Sequence, residues 1–383
     1  MSNLLLALCG DQPPSPVFNA GSLTGEPFRT LAAGFLDCHA SRGGKGSTVF
    51  RLPEAWVWDF WTVDDGEQYH LFFLYASRAL HDPHARHYRA SVGHAVSHDL
   101  VKWERVTDAL VRSDAPAFDD LATWTGSVVR HPDGRWFMFY TGSTLIPETG
   151  ANRQSIGYAV SADLYEWHKA PGPVLHADGE LYETYAPPPE GNWHDEAFRD
   201  PWVLADPDGD GWHMLITARS VAGPAGDPAD RVDRGVVGHA WSADLETWEL
   251  RPPLSSPGQG FGQLEVMQPF VVDGRQVLLF NCLVGDMPEA ARSGGVTGGV
   301  WIAEAEGPLG PYDIAGAQVI EDPSLYVGKF VTDRDTGEMK FLAFVHDRDG
   351  AFVGEITDQY AVSWEGDRLA LTPAVTPVRP TGN

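Results

Sequence analysis

One phrase recurs three times in this chain: Ser91–Trp103 reads SVGHAVSHDLVKW, Ser155–Trp167 SIGYAVSADLYEW and Val236–Trp248 VVGHAWSADLETW. Each copy alternates apolar with small or polar residues, breaks at Ser-x-Asp-Leu and closes on Trp, which predicts two short antiparallel strands. A second hairpin precedes each copy, its turn carrying Asp or Gly where left-handed backbone angles are needed. Five such turns occur: Asp64–Glu67, His131–Arg135, Asp206–Gly211, Val272–Arg275 and Asp333–Glu338. Each leads into an apolar or aromatic strand: YHLFFLY, WFMFYTG, WHMLITA, QVLLFNC and MKFLAFV. The fourth and fifth second halves have drifted, to GGVWIAEAEGPLGPYDI and FVGEITDQYAVSWEGDRLAL. Four strands occurring five times predict an all-β chain folded as a five-bladed β-propeller, because a single blade buries its faces only against its neighbours.

The 383 residues could hold two or three average domains, but the repeat absorbs nearly all of them. The expected blades run Trp56–Val106, Trp124–Ala170, Phe198–Arg251, Leu264–Ile314 and Tyr326–Leu371. This gives a propeller domain over 51–375, a lead-in over 1–50 able to close the last blade, and a tail over 376–383. A hydrophobic share of 43% with 11% aromatics is ample for cores between blades.

The formal charge of -26 repels nucleic acid and anionic membranes, so a small neutral molecule is the expected partner. Three cysteines, Cys9, Cys38 and Cys282, are too few for a disulfide framework. The opening MSNLLLALCG lacks a basic leader and is too short to span a bilayer. A cytoplasmic location is therefore expected, with secretion or lipid anchoring at Cys9 less favoured.

In a propeller the first strand of each blade lines the central axis. Its start shares one face with the loop between strands two and three, and the Asp-Gly turns lie on the other. Asp59 and Ser127 stand seven residues before Gly66 and Gly134, and Asp200 and Glu265 nine before Gly209 and Gly274. At about 3.3 Å per residue this is one strand length, so the four side chains are expected near one rim, with three carboxylates in one funnel.

Asp59 lies in WVWDFW among indoles at an axial position, although a strand-end Asp can also cap a turn. Arg199 beside Asp200 can hold hydroxyls and keep that carboxylate ionised, or form a structural pair. Glu265, alone among apolar and amide residues in QLEVMQP, is expected to have a pKa raised by burial. One ionised and one protonated acid are what glycoside cleavage requires, and a third can stabilise the oxocarbenium-like transition state. Trp58, Trp61 and Trp124 can offer ring faces to a sugar.

The set VWDFW, WTGS at Trp124–Ser127, FRDP at Phe198–Pro201 and QLEV at Gln263–Val266 resembles the fructan-active glycoside hydrolase clan. It looks more like family 68, the levansucrases and related fructofuranosidases, than family 32. With the five blades expected to absorb the chain, the C-terminal β-sandwich usual in family 32 is not expected here, which leans the same way. The resemblance implies Asp59 as nucleophile, Asp200 as transition-state stabiliser and Glu265 as general acid/base. It also implies a fructosyl site from Trp58, Trp124, Ser127 and Arg199, with Gln263 where family 68 has Glu. Thr125 stands where that family usually has Ser, and Val266 where it has Arg. The expected activity is a retaining hydrolase or transglycosylase acting on β-fructofuranosyl bonds such as those of sucrose or fructo-oligosaccharides, with no cofactor and no metal.

Two alternatives share the propeller: an arabinofuranosidase resembling family 43, and a sugar-binding propeller without catalysis. Three further stretches carry composition of note. HDPHARH at His81–His87 is expected to be a rim loop near the substrate, DPDGDG a hairpin turn on the far face, and GGKGST at Gly43–Thr48 a turn without the phosphate-loop order.

Overall fold

Five antiparallel sheets account for the described part of the chain, which in this computed structural model is residues 50–186, 193–223, 232–295 and 297–374. Blade 1 contains Ala55–Asp64, Tyr69–Ser77, Ser91–Ser97 and Glu104–Arg105. Blade 2 contains Ala122–Arg130, Trp136–Leu145, Asn152–Ser161 and His168–Lys169, with Leu175–His176 added. Blade 3 is Phe198–Ala205, Trp212–Arg219, Gly235–Ser242 and Glu249–Arg251; blade 4 is Glu265–Val272, Arg275–Cys282, Gly299–Glu304 and Gln318–Val319. Blade 5 is Leu325–Thr332, Met339–Arg348, Tyr360–Glu365 and Arg368–Pro373, with Ala351–Ile356 paired to its second strand. The five first strands touch in cyclic order, the last against the first, so the sheets close into a five-bladed β-propeller. The expected lead-in up to residue 49, the GGKGST run, Cys9, Cys38 and the tail lie outside the described residues. Phe50 forms a two-way backbone bridge with Ile356 of blade 5.

The recurring phrase folds the same way each time. Asp99 Oδ1 accepts the N–H groups of Val101 and Lys102 at 2.9 and 2.8 Å. Asp163 does so for Tyr165 and Glu166, and Asp244 for Glu246 and Thr247. Each Asp satisfies the donors of a tight turn in which the next residue, Leu100, Leu164 or Leu245, takes a positive φ of 56°, 69° or 65°. That conformation is costly for Leu, and burial of a side chain worth roughly 2 kcal/mol offsets it.

Apolar residues from adjoining blades form the cores: Phe139 and Ile156 meet Phe198 and Ile216 between blades 2 and 3, and Leu279 and Ile302 meet Phe330 and Phe341 between blades 4 and 5. Two buried polar relays interrupt this pattern. His70 Nδ1 and His94 Nε2 share a hydrogen bond of 2.9 Å, with Asp65 3.1 Å from the far side of His70. His213, His239 and Asp206 repeat the arrangement in blade 3, at 2.8 and 3.3 Å. Burial pushes His94 down to about 3 and His239 to about 4, each helped by the neighbouring His.

Because these folded values lie below the unfolded one, stability is lost as pH falls through about 6.5, where the unfolded chain takes up protons that the relays refuse. By pH 5 the loss is expected to be about 2 kcal/mol for each of the two rings. A His94→Gln/His239→Gln double variant should therefore have a flatter melting-temperature profile between pH 7 and pH 5 than the parent. Parallel profiles would contradict this reading.

Candidate active site

Every inner strand breaks register at one level of the axis: between Val57 and Phe60, Trp124 and Gly126, Arg199 and Trp202, Glu265 and Gln268, and Tyr326 and Lys329. Such bulges kink a strand and re-aim its side chains. Asp59, Thr125 and Asp200 lie within bulges and Glu265 at the lip of one. Asp200, Val266 and Val327 have positive φ values of 57°, 50° and 47°, a conformation that costs on the order of 1–3 kcal/mol for each non-glycine residue.

What holds this strain is a pin from the preceding blade. Thr141 Oγ1 accepts the Asp200 N–H at 2.9 Å, Thr217 Oγ1 accepts that of Val266 at 3.3 Å, and Asn281 Oδ1 accepts that of Gly328 at 3.4 Å. The three pins occupy equivalent places on second strands, opposite Trp124, Arg199 and Glu265 respectively. The single Thr217 O–H proton is shared between Asp200 Oδ2 and the Leu264 carbonyl, each 2.9 Å away. Thr217→Val removes all of these bonds while nearly preserving volume. It is expected to cost about 2 kcal/mol of stability and about tenfold in turnover by loosening the Asp200 carboxylate. Unchanged turnover would show that the pin is merely structural.

The three acids come together. The Thr125 hydroxyl donates to Asp59 Oδ2. The Arg199 guanidinium donates to Glu265 Oε1 and, at 2.5 Å, to Gln263 Oε1, and its Nε lies 3.5 Å from Asp200 Oδ2. The Tyr326 hydroxyl donates to the other Glu265 oxygen. Arg199 thus bridges two acids of different blades, while Glu265 acts on Asp59 and Asp59 on Asp200.

Burial sets the protonation of this cluster. It raises Asp59 to about 6, with Thr125 and Arg86 opposing and Glu265 adding to the rise. It raises Asp200 to about 7 despite Arg199, with Asp59 and Glu265 contributing. The expectation that Arg199 simply keeps Asp200 ionised is corrected: desolvation outweighs the pair. Burial would weaken the Arg199 charge, but Glu265, Asp200 and Asp195 more than reverse that. Lys329, buried on the blade 5 strand, is pulled down to about 7 by desolvation, with Asp200 and Asp59 opposing.

Several expected sugar contacts are placed differently. Ser127 is 3% exposed and its hydroxyl accepts the Val203 N–H at 3.1 Å, tying blade 2 to blade 3. The bulge at Thr125 turns that residue, rather than Ser127, toward Asp59. Trp61 is 1% exposed and stacked on Phe72, because both faces of an inner strand are covered by adjoining blades. Trp58 is buried with the Arg86 guanidinium 5.5 Å from its ring. Trp124 is half-buried at the rim, its indole N–H donating to the His87 carbonyl at 2.7 Å. Gln263 spends its amide on Arg199 and on Asp286 Oδ2, at 2.8 Å for the latter. Glu265 is half-buried and bonded by Arg199 and Tyr326, in contrast to the apolar setting its strand suggested.

Thr217, Tyr326, Lys329 and Arg86 were not singled out from the sequence, and Thr125 was noted there only as a departure from the family 68 pattern. The Thr, Thr and Asn at matching places in WFMFYTG, WHMLITA and QVLLFNC were the available signal for the pins. The loop His81–His87 does reach the acid-bearing face, where Arg86 and His87 come against Trp58.

Residues 61–286, over half of the chain, match the sequence model of the glycosyl hydrolases family 32 N-terminal domain. The match covers Asp200 and Glu265 and begins just after Asp59. Beta-fructofuranosidase 1 of Zea mays is 30% identical over 58% of this chain and 30% of its own length. A fructan 1-exohydrolase of Aegilops tauschii is 37% identical over 32% of this chain and 19% of its own. The matched stretches thus span less than a third of these relatives. The same fold occurs in an inulosucrase from Halalkalicoccus jeotgali bound to kestose, with TM-score 0.65 and 24% identity over 86% of this chain and 92% of that one. It also occurs in a Bombyx mori family 32 β-fructofuranosidase, with TM-score 0.63 and 19% identity over 86% and 65%. The clan suggested by the motifs is the one found, and within it, where the motifs leaned to family 68, the chain belongs to glycosyl hydrolase family 32.

Proposed function

We propose that this protein cleaves β-fructofuranosyl bonds of small carbohydrates such as sucrose or short fructo-oligosaccharides, with retention of configuration. Asp59 attacks the anomeric carbon of the fructosyl unit as Glu265 passes its proton to the leaving oxygen, giving a covalent fructosyl-Asp59 and the released sugar. Glu265 then takes a proton from water or an acceptor hydroxyl, whose oxygen displaces Asp59. Asp200 accepts hydrogen bonds from fructosyl hydroxyls, which strengthen as positive charge develops on the ring.

One observation carries this reading. Arg199 bonds Glu265 and approaches Asp200 Oδ2 at 3.5 Å, while Asp59, on another blade, feels the charge of Glu265 and itself acts on Asp200. A carboxylate near a second, hydrogen-bonded acid is the pair that glycoside cleavage uses. The relatives named as fructofuranosidase and fructan exohydrolase support the choice of sugar.

The test is to incubate the protein with sucrose and with a fructo-oligosaccharide and follow the first-formed anomer by NMR. Release or transfer of fructosyl with β-configuration supports the proposal. An inverted first product, or no turnover beside release from an aryl arabinofuranoside, would overturn it.

A further inference from the structure

Arg86 is 7% exposed, although it sits in a surface loop with three histidines. Its loop is a 3-10 turn, Pro83–Arg89, begun by Pro and capped by Asp82, whose Oδ1 accepts the His84 N–H at 2.9 Å. The guanidinium lies 3.8 Å from the ring centre of Phe352, on the added strand of blade 5, and 5.5 Å from that of Trp58, the neighbour of Asp59. Its Nη1 donates to the Pro83 carbonyl at 2.7 Å, and its buried Nε has no hydrogen-bond partner among the described residues. A cation is thus clamped across the seam where blade 5 meets blade 1, with its donors largely unspent. Stacking on aromatic faces fixes the guanidinium plane and replaces part of its lost hydration.

We propose that Arg86 is a positioning residue for the reaction: its guanidinium, locked across the blade 5–blade 1 seam, stabilises the negative charge of Asp59 without touching substrate. The inference rests on Asp59 being the nucleophile.

Arg86 shares this work with one other cation, the buried Lys329 amine. Asp59 faces the Thr125 hydroxyl, the like charges of Glu265 and Asp200, and the buried Lys329 amine. Arg199, the other buried guanidinium of the site, is committed to Glu265, Gln263 and Asp200. Arg86 faces Asp59, Asp82, His87 and His346, and His84 lies beside the two rings. Burial and Arg86 itself hold His87 down at about 3, and burial lowers His346, so neither ring competes as a cation near neutrality.

The test compares kcat/KM for sucrose from about pH 4.5 to 8 in the parent, Arg86→Met and Arg86→Lys. Removing the positive charge raises the pKa of Asp59, so the acidic limb of Arg86→Met should move up by about one pH unit, with about tenfold less activity at pH 5. At pH 8 its activity should stay within about threefold of the parent, and Arg86→Lys should recover most of the limb. An equal loss at every pH, or an unmoved limb, would overturn the inference and leave the role of Asp59 intact. If the parent turns over no fructofuranoside, the functional reading fails, and melting temperature decides the role of Arg86 instead. The gain in melting temperature caused by Asp59→Asn is then followed against pH, once with Arg86 in place and once on top of Arg86→Met. That gain should keep growing to a higher pH in the Arg86→Met protein, and coincidence of the two curves would sink the role of Arg86.

Discussion

Asp59→Asn is expected to lower kcat on sucrose on the order of 10⁴-fold and, at pH 7, to raise the melting temperature. The first effect follows from loss of the attacking carboxylate, since a neutral amide oxygen cannot form the glycosyl ester at a useful rate. The second follows from burial. Asp59 titrates at about 6 in the folded protein, against an ordinary carboxylate value of 3.8. Below the lower value both states are protonated and the site carries no penalty. As pH rises toward 6 the unfolded chain ionises first, and folding becomes progressively less favourable until the folded carboxyl ionises too. Two pKa units correspond to at most about 3 kcal/mol, reduced by whatever Thr125 loses when its acceptor becomes an amide. The variant should therefore be more stable than the parent at pH 7 and indistinguishable from it near pH 4. Equal stabilities at both values would remove the electrostatic strain from the account.

Glu265→Gln is expected to slow sucrose cleavage by roughly 10²–10⁴-fold, while an aryl fructofuranoside with a good leaving group loses less than about tenfold in the first chemical step. The amide cannot deliver a proton, but a phenolate departs without one. Arg199 can still donate to the amide oxygen, whereas Tyr326 loses its acceptor when the second oxygen becomes nitrogen. Some loss common to both substrates is therefore expected, and the difference between them carries the acid role. Pre-steady-state rates on the two donors measure it. An equal loss on both would mean that Glu265 holds the site together rather than protonating the leaving group.

The propeller was legible because its signals are local. Strand alternation, an Asp-Gly turn and Ser-x-Asp-Leu are each decided within a few residues, as the three matching turns at Asp99, Asp163 and Asp244 show. The acids were legible as polar residues opening inner strands. The bulges were not, since they arise where five strands crowd one axis and are pinned by side chains from the preceding blade. A local shift of register was enough to put Thr125 rather than Ser127 on Asp59.

Trp61 escaped for a related reason: near the axis both strand faces are buried, so alternation no longer separates packing from binding. Arg86, Tyr326 and Lys329 reach the acids from a loop or another blade, and nothing within their own segments announces that. The histidine spacing of HDPHARH drew attention away from the arginine inside it.

The most direct test of the central claim is to quench sucrose turnover with acid and weigh the peptide that contains Asp59. The account predicts a peptide heavier by one fructosyl unit, attached through the Asp59 side chain and absent from Asp59→Asn. An adduct on a different residue, or turnover with an inverted product and no adduct at all, would contradict it.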